Sequence, residues 1–465
     1  MFEIRQRGST VWREILGGVT VFMAMSYIIF VQFGLLGKVG GMDPGGVMAA
    51  TCIAAGVSSI LMGLLANYPI ALAPGMGENF YFVYTMIGVA GGGMAAWGVG
   101  VPWQMALALT ILAGMVFLLL SMVSFRARVL DAVPDALKSG IAAGIGLFIA
   151  VIGFSYGNLV IQGGALVDLP DMRDNPVGWV ALIGLAVTLV LLAFRVHGAI
   201  LLGILITTGV CLLWGKTHWQ HPVAWPSGLA KTAGAFAPGF RDLWAALPKH
   251  WIEILTMLFI LLFMDLFDTV GTLVGVSTRA GLMREGRLPR AERALAADAT
   301  GTVIGGCLGT STVTSYIESI TGVQAGARTG LAAIVAGLCM IAAVFFRPLV
   351  EMVMGNFVLD VTAPGGAVIG TVRKFPTIAP ALIIVGGMML RTMREVNWDD
   401  VTEYLPAFLT MITMPLAYSI ADGIAMGFIS YAFAKVVIGR PRQCPIIVYI
   451  FAVLFIVRYA LAGQS

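Results

Sequence analysis

Charge is what this sequence has least of. Only 11% of its 465 residues are Asp, Glu, Lys or Arg, while 59% are hydrophobic. A soluble domain carries about a quarter charged residues, so a water-soluble globular fold is excluded and a polytopic membrane protein is expected. Histidine is scarcer still: His197, His218, His221 and His250 all lie outside the middle of the apolar segments. A proton handled at membrane depth therefore falls to carboxylates. The five cysteines (Cys52, Cys211, Cys307, Cys339 and Cys444) form no CxxC pair, and four sit in apolar segments. That pattern argues against disulfide or metal chemistry, and neither a metal nor another cofactor is expected. The net charge of +4 is small and its basic residues fall in loops, which excludes a nucleic-acid surface. No small-residue cleavage site follows the first apolar run, so that run reads as a retained span.

What is abundant is glycine, with 58 residues, as close helix packing in a membrane favours. Apolar segments fall at about 13–36, 46–66, 69–89, 103–123, 136–156, 176–194 and 197–214. After a wetter stretch at 215–250, further segments follow at about 251–276, 291–309, 311–325, 329–354, 376–391, 400–420, 421–438 and 444–461. That is two groups of seven and one extra segment. With a cytoplasmic N-terminus, loops after even-numbered spans should be basic. They carry Arg126, Arg128 and Lys138, then Arg195, then Arg279, Arg284, Arg287, Arg290 and Arg293, then Arg391 and Arg394, and finally Arg440 and Arg442. The halves also echo each other. Glu14-Ile15-Leu16 matches Glu253-Ile254-Leu255, the third segment of each half is broken and polar, and 195–200 resembles 419–424 in position. An odd number of spans per repeat inverts one half relative to the other. Interrupted segments at corresponding positions of two halves are the sequence pointer to a transporter's binding site.

Four elements carry polar groups among these segments. The first, Pro69–Phe80, has two prolines five apart that favour an extended piece, then Gly75 and Gly77 for close backbone approach, then Glu78 and Asn79 where a half-helix starts. Phe80, Tyr81 and Phe82 either stack on a flat ligand or simply pack. The second is Met264–Leu273, where Asp265 and Asp268, three apart, are expected on one helical face that Thr269 and Thr272 extend. Two carboxylates in an apolar helix are costly, and a structural hydrogen bond accounts for one more readily than for both. The third is Ser311–Gly322. Its hydroxyl–apolar alternation reads as a short strand, with Glu318 where a half-helix begins. In the fourth, 293–301, Asp298 is expected to pair with a loop arginine.

Carboxylates accept hydrogen bonds, and backbone N–H groups at a half-helix start donate them. No mid-span Arg or Lys is expected to balance an anion, which disfavours sulfate, phosphate or dicarboxylates. A neutral, planar molecule rich in hydrogen-bonding groups fits better; a hard cation such as Mg²⁺ is the plainer rival. An intramembrane aspartyl enzyme is disfavoured, because Asp265 and Asp268 share one helix rather than converging across a substrate, and a transporter rather than an enzyme is expected.

Four motifs, Ala71–Gly77, Asp265–Leu273, Gly309–Ser319 and Tyr418–Ala425, resemble the nucleobase–cation symporters, and most closely the azaguanine-type adenine/guanine/hypoxanthine permeases. The resemblance covers nearly the whole chain in order. It implies an all-α polytopic membrane protein with 14 transmembrane segments as a 7+7 inverted repeat, and short strands in spans 3 and 10. It further implies a core domain from 13–123 and 251–354, a gate domain from 136–214 and 376–438, and an extracytoplasmic loop at 215–250. The segment 444–461 is left as an extra C-terminal hydrophobic helix. The implied activity is proton-coupled uptake of purine bases by an elevator-like movement, in a multi-pass protein of the cell inner (plasma) membrane surrounded by lipid. Homodimers occur among members of the family. An anion transporter of the same architecture and a sodium-coupled nucleobase transporter are the alternatives. Position by position, the resemblance assigns Glu318 and Asp265 to base binding, with Asp268 the alternative aspartate and Asn79 and Gly77 the third-span positions. Phe80 or Phe82 would stack and Thr269 would extend the acidic face, while backbone N–H groups near Gly77 and Ile317 would donate to the base. Glu318, Asp265 and Glu78 are the candidates for carrying the coupled proton. Glu78, where relatives usually have an apolar residue, and a long 351–375 region are the departures from the family pattern.

Overall fold

The computed structural model describes residues 2–88, 100–122, 133–162, 167–283, 288–355, 357–362 and 368–462. Arg126, Arg128, Arg284 and Arg287, used above to orient the chain, lie outside the described residues. Helix α1 (Val11–Met25) starts at Thr10, whose hydroxyl accepts from the Arg13 N–H. It stops at Ser26, resumes as α2 (Tyr27–Gln32) and widens into a π-helical turn at Phe33–Val39. Helix α3 (Pro44–Leu65) begins at Asp43, which caps the Gly46 N–H, with proline in the first turn where a missing donor is harmless. Strand β1 (Leu72–Pro74) leads into α4 (Met76–Phe80), prolonged by a π-helical Tyr81–Met86. Helices α5 (Trp103–Met122) and α6 (Asp135–Tyr156) follow, then the short pair β2 (Ile161–Gln162) and β3 (Val167–Asp168). The first half closes with α7 (Pro176–Ala193) and α8 (Ala199–Leu213).

The second half runs through a short α9 (Leu229–Thr232), α10 (Phe236–Arg279) and α11 (Ala291–Leu308). Strand β4 (Val313–Ser315) and α12 (Ser319–Gln324) come next, followed by α13 (Gly330–Ala343) and α14 (Arg347–Met354). A hairpin of β5 (Phe357–Thr362) and β6 (Val368–Lys374) precedes α15 (Ala379–Met389), α16 (Val401–Ala417), α17 (Ile420–Val437) and α18 (Ile446–Ala462). Among the described residues, eight helical stretches are long and apolar enough to cross a membrane, including Val11–Val39, Pro44–Leu65, Asp135–Tyr156 and Gly330–Met354. The chain is a mostly helical, multi-pass membrane protein.

Three expectations change. The stretch 215–250 is not all loop, because α10 begins at Phe236 and is 44 residues long. At 1.5 Å per residue that is roughly 66 Å, twice the hydrocarbon thickness. The helix accordingly bends at His250 (φ −126°, ψ 32°), two residues after Pro248, and the arm before the bend exposes Trp244 as interfacial segments do. The fold is not purely helical outside spans 3 and 10 either: the long 351–375 region contains the β5–β6 hairpin. Finally, a cation does stand inside an apolar helix. Arg458 of α18 is mostly buried 4.0 Å from Asp422, which also accepts a 2.7 Å hydrogen bond from the Tyr459 hydroxyl. The chain turns left-handed at Arg195 (φ 55°) and Gly198 (φ 72°) before α8, and at Tyr418 (φ 55°) just before the 419–424 segment that opens α17.

Packing sorts the helices. Helix α3 lies on α13, α5 on α10 and α11, and α1 on α13; separately, α6 lies on α15 and α16, and α17 on α16 and α18. The α3–α13 contact depends on facing glycines, Gly56 with Gly337 and Gly63 with Gly330. A Cβ on Gly337 would stand 2.6 Å from the Gly56 carbonyl oxygen. Small residues of this kind let backbones approach where lipid offers no hydrophobic drive to associate. Gly337→Val is therefore expected to lower the melting temperature of the purified protein and its monodisperse yield, an overpacking cost of about 1–3 kcal/mol or more. Gly271→Ala, whose Cβ would meet nothing within 4 Å, should leave both unchanged; equal loss in the two variants would refute the packing account.

Candidate functional site

The site is built where β1 and β4 cross. Pro69 and Pro74 keep the chain extended before α4, and alternating residues do the same before α12. The strands pair antiparallel, Leu72 with Ser315, Ala73 with Thr314 and Pro74 with Val313. Groups the short ladder cannot satisfy are met by neighbours. Leu72 N–H donates to the Ser59 hydroxyl (2.8 Å), which donates to the Leu72 carbonyl (3.1 Å). Ala71 N–H donates to Ser319 Oγ (3.0 Å), Tyr316 N–H to the Ala71 carbonyl (3.0 Å) and Gly75 N–H to the Thr312 carbonyl (3.0 Å). The Tyr316 hydroxyl closes the crossing on the Pro74 carbonyl at 2.6 Å.

Around this crossing the acids fall into two settings. Glu318 is half-buried, Asp268 is exposed and Ile317 is 44% exposed. One oxygen of Glu318 accepts a 2.7 Å hydrogen bond from the Tyr27 hydroxyl. Asp268, Gly271, Val274 and Thr278 form an open stripe along α10, which ends at Arg279, and Ile317 lies beside it against Gly275. A carboxylate turned to hydrocarbon costs several kcal/mol, so this face lines a watery cleft rather than lipid. Asp268 is also within electrostatic range of Glu78, of Glu318 and of Tyr27.

The other acids are closed in. Asp265 is fully buried and accepts from the Thr302 hydroxyl at 3.0 Å, leaving its second oxygen without a partner. Asp298 accepts from Thr269 and Ser315, both at 2.8 Å. Glu78 is buried beside Gly75 and Thr314, with one oxygen unpartnered. Among the described residues, no ion pair involves Glu78, Asp265, Asp268, Asp298 or Glu318.

This arrangement corrects several expectations. Asp265 and Asp268 do not share a face: Asp265 turns into α11, and Asp268 into the cleft. Asp298 pairs with hydroxyls, not with a loop arginine. Thr269 serves Asp298 and Thr314 and is fully buried. Asn79 is walled in as well. Its amide oxygen accepts from Gln32 Nε2 (2.9 Å) and from the Ser311 hydroxyl, and its amide nitrogen donates weakly to the Pro74 carbonyl (3.4 Å). Phe80 is fully buried, stacked parallel to Tyr84 with the Phe148 ring edge-on, so neither of its faces is open. Gly77 allows close contact of α4 with α6 and α10, since a Cβ there would stand 3.0 Å from both Ile145 and Met264. Tyr27, Gln32 and Thr302 escaped the sequence reading altogether. The signal for two of them was present, because Ser26, Tyr27 and Gln32 are the polar interruptions in the first apolar run.

A family model described as "Permease family" matches residues 13–426. The guanine/hypoxanthine permease PbuG of Bacillus subtilis is 39% identical over 468 residues, covering 98% of both chains. The adenine permease AdeQ of Escherichia coli is 36% identical over 463 residues, covering 99% of this chain and 96% of its own. Among solved structures, the transmembrane domain of the cyanobacterial bicarbonate transporter BicA superposes with a TM-score of 0.59 at 13% identity, covering 90% of this chain and 97% of that one. At that identity the likeness concerns the fold alone.

Thr302 links the closed acids to the strand, because its hydroxyl serves Asp265 and also accepts the Val313 N–H at 3.2 Å. Thr302→Val keeps the shape and removes both bonds, with an expected cost of about 1–3 kcal/mol of stability. Thr302→Ser should restore most of it. Thermal unfolding in detergent checks the pair, and an unchanged midpoint for the valine variant would dismiss the linkage.

Proposed function

The chain belongs to the nucleobase–cation symporter family, and from that membership we propose that it imports purine bases (hypoxanthine, guanine or adenine) by proton symport. The observation that carries the reading is the pair of solvent-accessible carboxylates beside the strand crossing, Glu318 and Asp268, neither of which has an ion-pair partner among the described residues. A purine base is neutral and planar and presents ring N–H and amino donors. Two carboxylates in a shared cleft supply acceptors of the matching kind. The relatives named for guanine, hypoxanthine and adenine support this choice of substrate. An anionic substrate is less well served, since Glu318 and Asp268 would repel it and neither is paired with a cation among the described residues.

Asp268 takes the place beside Glu318 in the direct contact with the base. Asp265 is the acid behind it, with Asn79, Gly77, Phe80 and Thr269 forming the wall. Glu318, Asp265 and Glu78 remain the candidates for binding the coupled proton. An uncompensated charge among apolar groups is costly, and none of the three has a cation to compensate it. The chain is organised as fourteen spans in a seven-plus-seven inverted repeat, a reading supported by the β1–β4 pairing of the third segment of each half. Segments 13–123 and 251–354 form the body carrying the site, and 136–214 with 376–438 the gate, in line with the separate packing of α6, α15, α16 and α17. Transport proceeds by an elevator-like displacement of one body against the other in the cell membrane. The N-terminus is cytoplasmic, and the cleft running toward Arg279 opens inward.

Glu318→Gln and Asp268→Asn are each expected to reduce uptake of labelled hypoxanthine, guanine or adenine at least ~10-fold, the scale of losing a hydrogen bond to a charged group. Both proteins should still reach the membrane. An uncoupler should abolish accumulation, and replacing sodium should not. Normal uptake in both variants would remove the site assignment, whereas sodium dependence would replace the coupling ion.

A further inference from the structure

We infer that Tyr27 is a positioning residue for Glu318, fixing one carboxylate oxygen so that the other is held toward the cleft as a single directed acceptor for the base. This rests on the purine reading of the site. Glu318 stands at the first position before the six-residue α12 (φ −57°, ψ −17°), with its side chain half-exposed. A glutamate in an open cleft has three rotors and would lose about 1.5–2 kcal/mol of rotamer entropy on being ordered by a ligand. The Tyr27 ring reaches it from the start of α2, 291 positions earlier in the chain, and donates its hydroxyl to Oε1 at 2.7 Å. That is the length of a charge-assisted bond.

The phenol is itself buried. Tyr27 is 1% exposed and begins α2 immediately after the break at Ser26, whose hydroxyl bonds back to the Met23 carbonyl. A rigid donor on a packed helix thus orders a flexible acid, as a preorganised binding group requires. Neither Tyr27 nor the hydroxyl bond is needed by the strand crossing, whose backbone groups are satisfied by Ser59, Ser319, Thr302 and Tyr316. The contact therefore acts on the substrate-facing acid and not on the scaffold.

The test is equilibrium binding of labelled hypoxanthine and guanine to purified protein, alongside uptake kinetics. Tyr27→Phe keeps the buried ring and is expected to weaken affinity and raise KM about tenfold, with the maximal rate changed less than ~2-fold. In a Glu318→Ala background, which leaves the phenol no acceptor at this position, the same change should have no further effect. Glu318→Asp is the second variant, because it withdraws the carboxylate from the phenol. It should lose affinity comparably and become insensitive to Tyr27→Phe. Wild-type affinity in Tyr27→Phe, or an additive loss in either background, overturns the inference while leaving Glu318 in place. Wild-type affinity in Glu318→Gln instead overturns the purine site itself.

Discussion

Backbone that is not helical has no water to bond at membrane depth, and the centre of this molecule is arranged around that constraint. The β1–β4 crossing is only three residues wide on each side, so most of its polar groups lie outside the ladder. Ser59 on α3, Thr302 on α11 and Ser319 on α12 each supply a hydroxyl to a strand N–H. These helices must then lie close to the crossing. The glycine contacts that let α3 approach α13 belong to the same requirement, because a strand held by short serine and threonine side chains tolerates no spare distance. The site thus inherits its rigidity from the need to hide peptide groups.

The same hydroxyls sort the acids. Thr302 holds Asp265 and the Thr269–Ser315 pair holds Asp298, which withdraws both from the cleft. Glu318 and Asp268 lie beyond the reach of those groups and face open space. On the proposed reading a bound ligand meets two carboxylates, neither of them paired with a cation among the described residues. Such a pair would favour a neutral hydrogen-bond donor over an anion. Arg458 and Lys435 do not alter the balance. Lys435 is paired with Glu403 at 2.6 Å where α17 meets α16, and Arg458 stands 4.0 Å from Asp422 where α17 meets α18.

Much of this was legible in the sequence because it was written in local terms. Two prolines five apart, an alternation of hydroxyl and apolar residues, and a lone glutamate after them specify strand and half-helix without reference to anything distant. What the sequence did not disclose are choices of partner. Asp265 and Asp268 are three apart and equivalent by periodicity, and only the position of α11 decides which is covered. Asp298 stands near arginines in sequence but near Thr269 and Ser315 in space. Phe80 and Asn79 read as open groups until Tyr84, Phe148 and Gln32 enclose them. The helical arm at 236–250 was hidden by Pro248 and by a composition that belongs equally to an interfacial helix and a loop.

The two settings of polar groups also bear on movement. An elevator-like displacement of one body against the other requires a boundary that slides without leaving buried polar atoms unpartnered. Along the meeting of α4 with α6 the contacts are apolar and aromatic: Gly77 against Ile145, Phe80 and Tyr84 against Phe148, and Tyr84 against Tyr418. Such contacts are weakly directional, and exchanging one for another changes the energy little. The Tyr84–Tyr156 hydroxyl pair at 3.1 Å is the polar exception there, and two hydroxyls can each turn to water or to another acceptor. By contrast, the hydroxyl–carboxylate and hydroxyl–backbone bonds around the crossing join α3, α10, α11 and α12, on one side of that boundary. On the proposed reading the binding groups would move as a unit, with the directional bonds inside it and the weakly directional contacts at its boundary.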